Sequence, residues 1–148
     1  MRLLLSAVLL TLPLCAELRT VEMTLGGLDC DSCSTSVDRV VKRIRGVDTA
    51  TYDEKAKLVT VTFKPGNAVK LSAIRDAVKG VGYTPGETKV IARGTLTSDS
   101  FQISGPDTVL KVEGPEELRK AATDVIVEGV IPEKSPDLLK IKSVRKPE

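Results

Sequence analysis

The chain has 148 residues, of which 41% are hydrophobic and 28% are charged, a composition typical of an ordinary globular protein. Its 22 Lys and Arg residues nearly balance 20 Asp and Glu residues, and the net charge of +2 argues against a polyanion such as DNA as the main partner. Histidine is absent, which excludes acid–base catalysis and metal binding through imidazole.

The first sixteen residues have the pattern of a signal peptide. Arg2 precedes a mostly apolar run at residues 3–12, and a proline breaks the run shortly before Ala16. The run is shorter than the roughly 18 residues that a membrane-spanning helix needs. We therefore expect cleavage after Ala16, loss of Cys15, and export to the periplasm. The alternatives are a buried N-terminal helix, or a lipoprotein acylated at Cys15, although Leu14 stands where such signals have a small residue.

Residues 17–88 show a change of hydrophobic period that predicts the order βαββαβ. Two amphipathic helices are expected, the first ending at Gly46 and the second closed by Gly80 and Gly82. Residues 65–67 are expected to end a hairpin and to cap the second helix. The predicted elements are an alternating strand (Val21, Met23, Leu25), a helix (Val37, Val40, Val41, Ile44), strands at 47–52 and 58–63, a helix (Val69, Leu71, Ile74, Ala77, Val78, Val81) and an extended segment from Tyr83.

Two sequence motifs lie at fixed places in this order. The segment Gly-Leu-Asp-Cys-Asp-Ser-Cys at 27–33 joins the first strand to the first helix, and Val-Gly-Tyr-Thr-Pro at 81–85 follows the second helix. With them, residues 19–90 resemble the heavy-metal-associated domain, the family of small copper chaperones, the periplasmic mercury-binding protein and N-terminal modules of metal-transporting ATPases. The resemblance implies a ferredoxin-like fold in which Cys30 and Cys33 bind metal. Leu28 replaces the family's Met, which usually packs beneath the loop, so we expect Leu28 not to touch the metal.

Residues 89–148 follow a different pattern, with short extended runs separated by turns. The predicted strands are 90–96, 101–104, 109–113, 125–131 and 138–144, with a helix at 114–122 that has Pro115 at its first position. This order resembles a small OB-fold barrel, so the predicted fold class is α+β, a ferredoxin-like domain at 17–88 followed by an OB-like β-barrel at 89–148. A barrel without a ligand is the alternative. Phe101 is its single aromatic residue, which fits poorly with oligonucleotide binding.

The Cys-x-x-Cys pair limits the chemistry of the mature chain. The spacing places one sulfur on a loop and the other at the first turn of a helix, close enough to hold one soft cation. The positive end of the helix dipole favours the thiolate of Cys33. Thiol–disulfide exchange and a structural disulfide are the alternatives. A thioredoxin-like site would have an aromatic residue before the first cysteine, where this chain has Asp29.

The neighbours of the two cysteines give conflicting indications of the metal. Cu(I) carries one charge and accepts two thiolates, whereas Asp29 and Asp31 would favour a divalent ion such as Zn(II), Cd(II) or Hg(II). An Asp before the first Cys is similar to the motif of zinc, cadmium and lead exporters, which implies Asp29 as a possible third ligand. Tyr83 instead matches the Tyr that bacterial copper chaperones place over their metal. The alternatives are solvated loop acids, with Asp31 or Ser32 capping the helix, and a half-buried Tyr83 ring.

These observations predict a metal carrier rather than an enzyme. We expect an exported protein that carries or sequesters one soft metal ion and passes it to a metal transporter or another receiving protein by ligand exchange. The sequence contains no glycine-rich phosphate-binding loop and no bundle of membrane-spanning segments, so we do not expect the transporter itself. The alternative is an adaptor that docks an acidic partner through the first helix and adds a second contact from the barrel. The same basic residues would also fit a helix face that is only solvated. The helix residues concerned are Arg39, Lys42, Arg43 and Arg45.

Overall fold

The first half of the chain folds into a four-stranded antiparallel sheet covered by two helices on one face. The computed structural model describes residues 17–27, 34–103 and 108–147. The sheet order is β2-β3-β1-β4, which is the predicted ferredoxin-like arrangement. Its elements are β1 (Glu17–Gly26), α1 (Ser34–Lys42), β2 (Val47–Asp53), β3 (Leu58–Phe63), α2 (Leu71–Gly80) and β4 (Thr84–Leu96).

Hydrophobic periodicity determines which faces meet in this half. The alternating residues of β1 point inward, and Val21 and Met23 are fully buried. Val37 and Val41 on α1 and Ile74 on α2 are also fully buried, since their helical spacing places them over the sheet. Each such side chain contributes roughly 1.5–3 kcal/mol when it leaves water. Neither α1 nor α2, the α-helices of the described ranges, is long and apolar enough to cross a bilayer.

The expected cap of α2 is wrong in its details. Lys70 occupies the N-cap position, without a side-chain hydrogen bond to the helix. Asn67 is buried instead, and its amide donates to the carbonyl oxygens of Leu18 and Lys64, each at 2.8 Å. A buried amide needs hydrogen-bond partners. Because one of these partners, Leu18, is in β1, the bonds hold the loop before α2 against β1.

The second half of the chain closes a five-stranded barrel onto β4. The new strands are β5 (Ser100–Gln102), β6 (Val109–Glu113), β7 (Ala122–Ile131) and β8 (Leu138–Arg145). Around the barrel the order is β4-β5-β6-β8-β7, and β7 pairs back with β4. The β6–β8 pair is parallel and the others are antiparallel. Phe101 and Ile103 are fully buried in its core.

β4 belongs to both halves of the molecule. Its residues 88–93 pair with β1 on one side and with β7 on the other. The predicted boundary between residues 88 and 89 therefore falls inside one continuous strand. The barrel occupies the edge of the ferredoxin-like sheet that β4 would otherwise leave open.

The predicted helix at 114–122 is wrong. The segment contains only one 3₁₀ turn, at Glu116–Leu118, and Pro115 before it is extended with ψ of 139°. Ala122 already pairs with Leu96 as β7 begins, so its backbone hydrogen bonds go to the barrel and not to a helix. Residues that favour a helix start are not sufficient when the residues that would extend the helix pair as a β-strand instead.

Candidate metal centre

The predicted metal-binding segment joins β1 to α1. β1 ends at Gly26, Gly27 has a φ of +93° that favours glycine, and α1 begins at Ser34. Cys30, Cys33 and Asp29, the predicted ligands, lie outside the described residues. So do Leu28, Asp31 and Ser32.

The start of β4 lies beside the residues that lead into this segment. Thr84 pairs with Gly26 across the sheet. A Cβ atom on Gly27 would lie 3.1 Å from the Thr84 hydroxyl oxygen, so the two residues pack closely. The β1–α1 segment therefore begins next to the α2–β4 connection, which carries Tyr83.

Tyr83 is buried where α2 turns into β4. Its side chain is 5% exposed, and its backbone N–H donates to the Val78 carbonyl oxygen at 3.2 Å. The ring packs on Tyr52 of β2, with centroids 5.7 Å apart and planes inclined by 50°. A contact of this kind contributes about 0.5–1.5 kcal/mol. Tyr52 is not among the predicted site residues, because a single Tyr in an amphipathic strand gives no sign of its partner. The placement of Tyr83 over a metal stays a prediction.

Helix α1 presents its basic residues to solvent. Val37 and Val41 fix the opposite face against the sheet, so the polar side chains point outward. The exposed cations of α1 and the turn after it are Arg39, Lys42, Arg43 and Arg45. The predicted basic face is thus present directly after the Cys-x-x-Cys segment.

A second group of cations, Arg75 and Lys79, lies on α2 and was not predicted as a site. Arg75 is half-buried, and its Nη1 donates to the Pro136 carbonyl oxygen at 3.1 Å. Burial lowers the pKa of Arg75, and the charge of Asp137 partly opposes that effect. The partner is 61 residues away in the chain. No local sequence pattern could have indicated this contact.

Two cavities among the described residues lie at opposite ends of the sheet. One of about 650 Å³ is lined by Arg45, Lys64 and residues 65–68. It lies at the Glu17 end of β1, roughly 30 Å along the strand from Gly26. A cleft of about 240 Å³ lies between α2 and the β7–β8 loop, beside Thr84. Across the described ranges, no three Cys, Asp or Glu side chains are grouped to hold a metal.

Comparisons with known proteins place the similarity in the first half of the chain. The family model of the heavy-metal-associated domain matches residues 22–84. A zinc-transporting ATPase of Synechocystis sp. is 32% identical over 74 residues, which are 50% of this chain and 10% of the ATPase. Copper-transporting ATPase 2 of Rhizobium meliloti is 35% identical over 73 residues, 49% of this chain and 9% of the ATPase. The chain thus spans about a tenth of the length of these relatives.

Several solved structures are similar to part of the chain. The N-terminal domain of a potential copper-translocating P-type ATPase from Bacillus subtilis is 26% identical, with a TM-score of 0.40. The match covers 45% of this chain and 81% of that domain.

Proposed function

We propose that this chain, in which residues 22–84 are a heavy-metal-associated domain, carries one soft metal ion on Cys30 and Cys33 and passes it to a receiving protein. Two thiolates on an open segment hold a soft ion and still leave room for a partner's ligand to attack. Transfer then proceeds by ligand exchange, with each protein thiolate replaced in turn. The metal is the cargo of the protein, and no bond of the polypeptide changes.

The observation that carries this proposal is the position of the Cys-x-x-Cys segment within the matched domain. It runs from the end of β1 to the first turn of α1, whose buried valines fix the helix on the sheet. Cys33 directly precedes Ser34, the first residue of α1. The positive end of the helix dipole therefore supports a thiolate at this position.

The relatives support a soft metal without selecting one, since one is named for zinc and another for copper. We propose that Asp29 decides between them. Its carboxylate is a suitable third ligand for Zn(II), which prefers more donors than two sulfurs, whereas Cu(I) is satisfied by two. Tyr83, which is buried directly before β4, is proposed to lie over the metal and to limit access to it.

Metal titration of the reduced protein tests the proposal. We expect one equivalent of Cu(I) to bind in competition with a chromophoric chelator, and the binding to be lost in Cys30→Ser and in Cys33→Ser. Asp29→Asn should weaken Zn(II) binding while leaving Cu(I) affinity unchanged. Asp48→Asn, an exposed carboxylate on β2, is the matched control and should change neither.

Insulin reduction separates this function from thiol–disulfide exchange. Rapid reduction of insulin disulfides by the protein, without stoichiometric metal binding, would contradict the carrier and favour a redox enzyme. The carrier should bind metal stoichiometrically and should not reduce insulin disulfides rapidly.

Export is proposed on the sequence of residues 1–16. Cleavage after Ala16 would keep all of β1 in the mature chain, whose first residues Glu17 and Leu18 are buried. N-terminal sequencing and elemental analysis of the protein from its native compartment should give Glu17 as the first residue and one soft metal. A mature protein that begins elsewhere would refute this cleavage site.

The barrel is proposed to be OB-like and to add a contact for the receiving protein. The strand order β4-β5-β6-β8-β7, closed on β4, supports this reading. Replacing Lys111, an exposed residue of β6, by Ala should then leave metal transfer unchanged, because the expected contact is the β7–β8 loop beside the start of β4. Slower transfer would instead assign the contact to the β5–β6 face.

A further inference from the structure

The cleft between α2 and the barrel exists only because the second half of the chain is docked on the first. One wall is Arg75 and Lys79 of α2, and the other is the β7–β8 loop with Pro132, Glu133 and Pro136. Residues 84–86, at the start of β4, complete the lining. Thr84 pairs with Gly26, so the cleft lies at the end of the molecule where the Cys-x-x-Cys segment begins.

The two cations of the cleft have unused capacity to bind an anion. They are four residues apart on α2 and therefore neighbours on one helix face. A guanidinium has five N–H donors, and the structure gives Arg75 one hydrogen bond, to Pro136, while the charge of Asp137 acts on Arg75 without a direct ion pair. Among the described residues, Lys79 has no ion pair. An anion between them would relieve the repulsion of two like charges.

The size and walls of the cleft favour a side chain over a free ligand. At about 240 Å³ it is smaller than the roughly 300–1,000 Å³ of typical small-molecule pockets. Pro85, Pro132 and Pro136 provide rigid walls that cost little entropy to order. Glu133 adds a negative charge to the lining, which disfavours a dianion such as phosphate more than a single carboxylate.

We propose that this cleft is a docking site for a carboxylate side chain on an acidic segment of a partner protein. Arg75 and Lys79 bind the carboxylate, Thr84 offers a hydroxyl group, and the prolines contact the adjoining peptide. That the partner is the protein receiving the metal rests on the proposed function. The affinity of the cleft for carboxylates does not.

Fluorescence anisotropy with an acidic peptide tests the site. The probe is fluorescein-labelled Glu-Gly-Glu-Gly-Glu, with Gln-Gly-Gln-Gly-Gln as the uncharged comparison, on the full chain at low salt. Lys79→Glu should weaken binding of the acidic probe about tenfold, because a charge-assisted hydrogen bond is replaced by repulsion. Glu133→Gln should strengthen it, because a like charge is removed. Both residues are exposed, so the fold should tolerate the changes.

Lys120→Glu is the matched control. It makes the same charge change at an exposed position at the other end of β7 from the cleft, and should leave most of the affinity. Equal weakening by Lys120→Glu and Lys79→Glu, equal binding of the two peptides, or no gain from Glu133→Gln would overturn the docking site.

Cu(I) titration of the same samples keeps the two proposals apart. Peptide binding without Cu(I) binding would support the cleft and refute the carrier function. Cu(I) binding without selective peptide binding would leave the carrier standing and refute the cleft. If both hold, Lys79→Glu should retain full Cu(I) stoichiometry.

Discussion

At the residue scale, one ion pair connects β4 to β7. Arg93 donates to Asp124 through Nε and Nη2, and the Nη2 bond is 2.7 Å long. Asp124 has a φ of +59°, a left-handed conformation that Asp and Asn tolerate better than most residues. The hydrogen bond from Arg93 lowers the pKa of the Asp124 carboxyl, the charge of Arg93 adds to this, and desolvation opposes it.

The lowered pKa gives Asp124→Asn a pH-dependent effect. A carboxyl whose pKa is depressed by folding stabilises the protein above its unfolded pKa, about 3.9, and this stability is lost as the pH falls through the folded pKa. We therefore expect Asp124→Asn to lower the Tm at pH 7, and the difference from the parent protein to shrink as the pH falls through the lowered pKa of Asp124. Asn keeps the left-handed backbone, so the comparison isolates the charge.

Thermal denaturation between pH 2 and pH 7, followed by circular dichroism, measures this difference. Asp48→Asn removes an exposed carboxylate on β2 and should show no comparable pH-dependent loss. A Tm difference for Asp124→Asn that stays constant over the whole range would contradict the pair's role.

At the element scale, Gly94 is where β4 exchanges its neighbour β1 for β5. Pairing with β1 ends at Arg93, and pairing with β5 starts at Thr95. A Cβ atom at Gly94 would overlap the carbonyl oxygen of Gln102 and lie 3.2 Å from the Phe101 ring. The absence of a side chain therefore lets β5 cross close to β4.

Gly94→Ala should destabilise the protein by about 1–3 kcal/mol, since neither the Gln102 backbone nor the buried Phe101 ring can move freely. Urea unfolding measures the change. Gly80→Ala is the control, because a Cβ atom there meets nothing within 4 Å and Ala is favoured in a helix. The control should be neutral or more stable by up to about 1 kcal/mol. Similar losses in both variants would refute a steric requirement at Gly94.

Periodicity predicts elements whose pattern is local, and misses what depends on distant partners. The strand expected at 58–63 is confirmed as β3, and its buried side is given by Val59 and Val61. The helix expected at 114–122 fails because Ala122 pairs with Leu96. The Cys-x-x-Cys candidates came from a local motif, whereas Arg75 meets Pro136 across 61 positions, which no local pattern records.

At the scale of the whole molecule, the shared strand couples the two halves. Val90 and Ala92 of β4 are buried, while the backbone between residues 88 and 93 is paired on both sides. If the barrel unfolded alone, β4 would lose its pairing with β7 and expose this edge. Arg75 and the Arg93–Asp124 pair would lose their partners as well. Unfolding of one half alone therefore costs more free energy than it would in a protein whose two domains are joined only by a linker.

We therefore expect residues 17–147 to unfold in one cooperative step. The chain has no Trp and two Tyr residues, Tyr52 and Tyr83, both in the first half, so tyrosine fluorescence reports on the ferredoxin-like part alone. Hydrogen exchange of β8 amides such as those of Leu139 and Ile141 reports on the barrel. Both probes should give the same free energy of unfolding in urea, because neither half keeps β4 without the other. A barrel that loses its protection at lower urea, while tyrosine fluorescence stays native, would show that the halves are separate folding units despite their common strand.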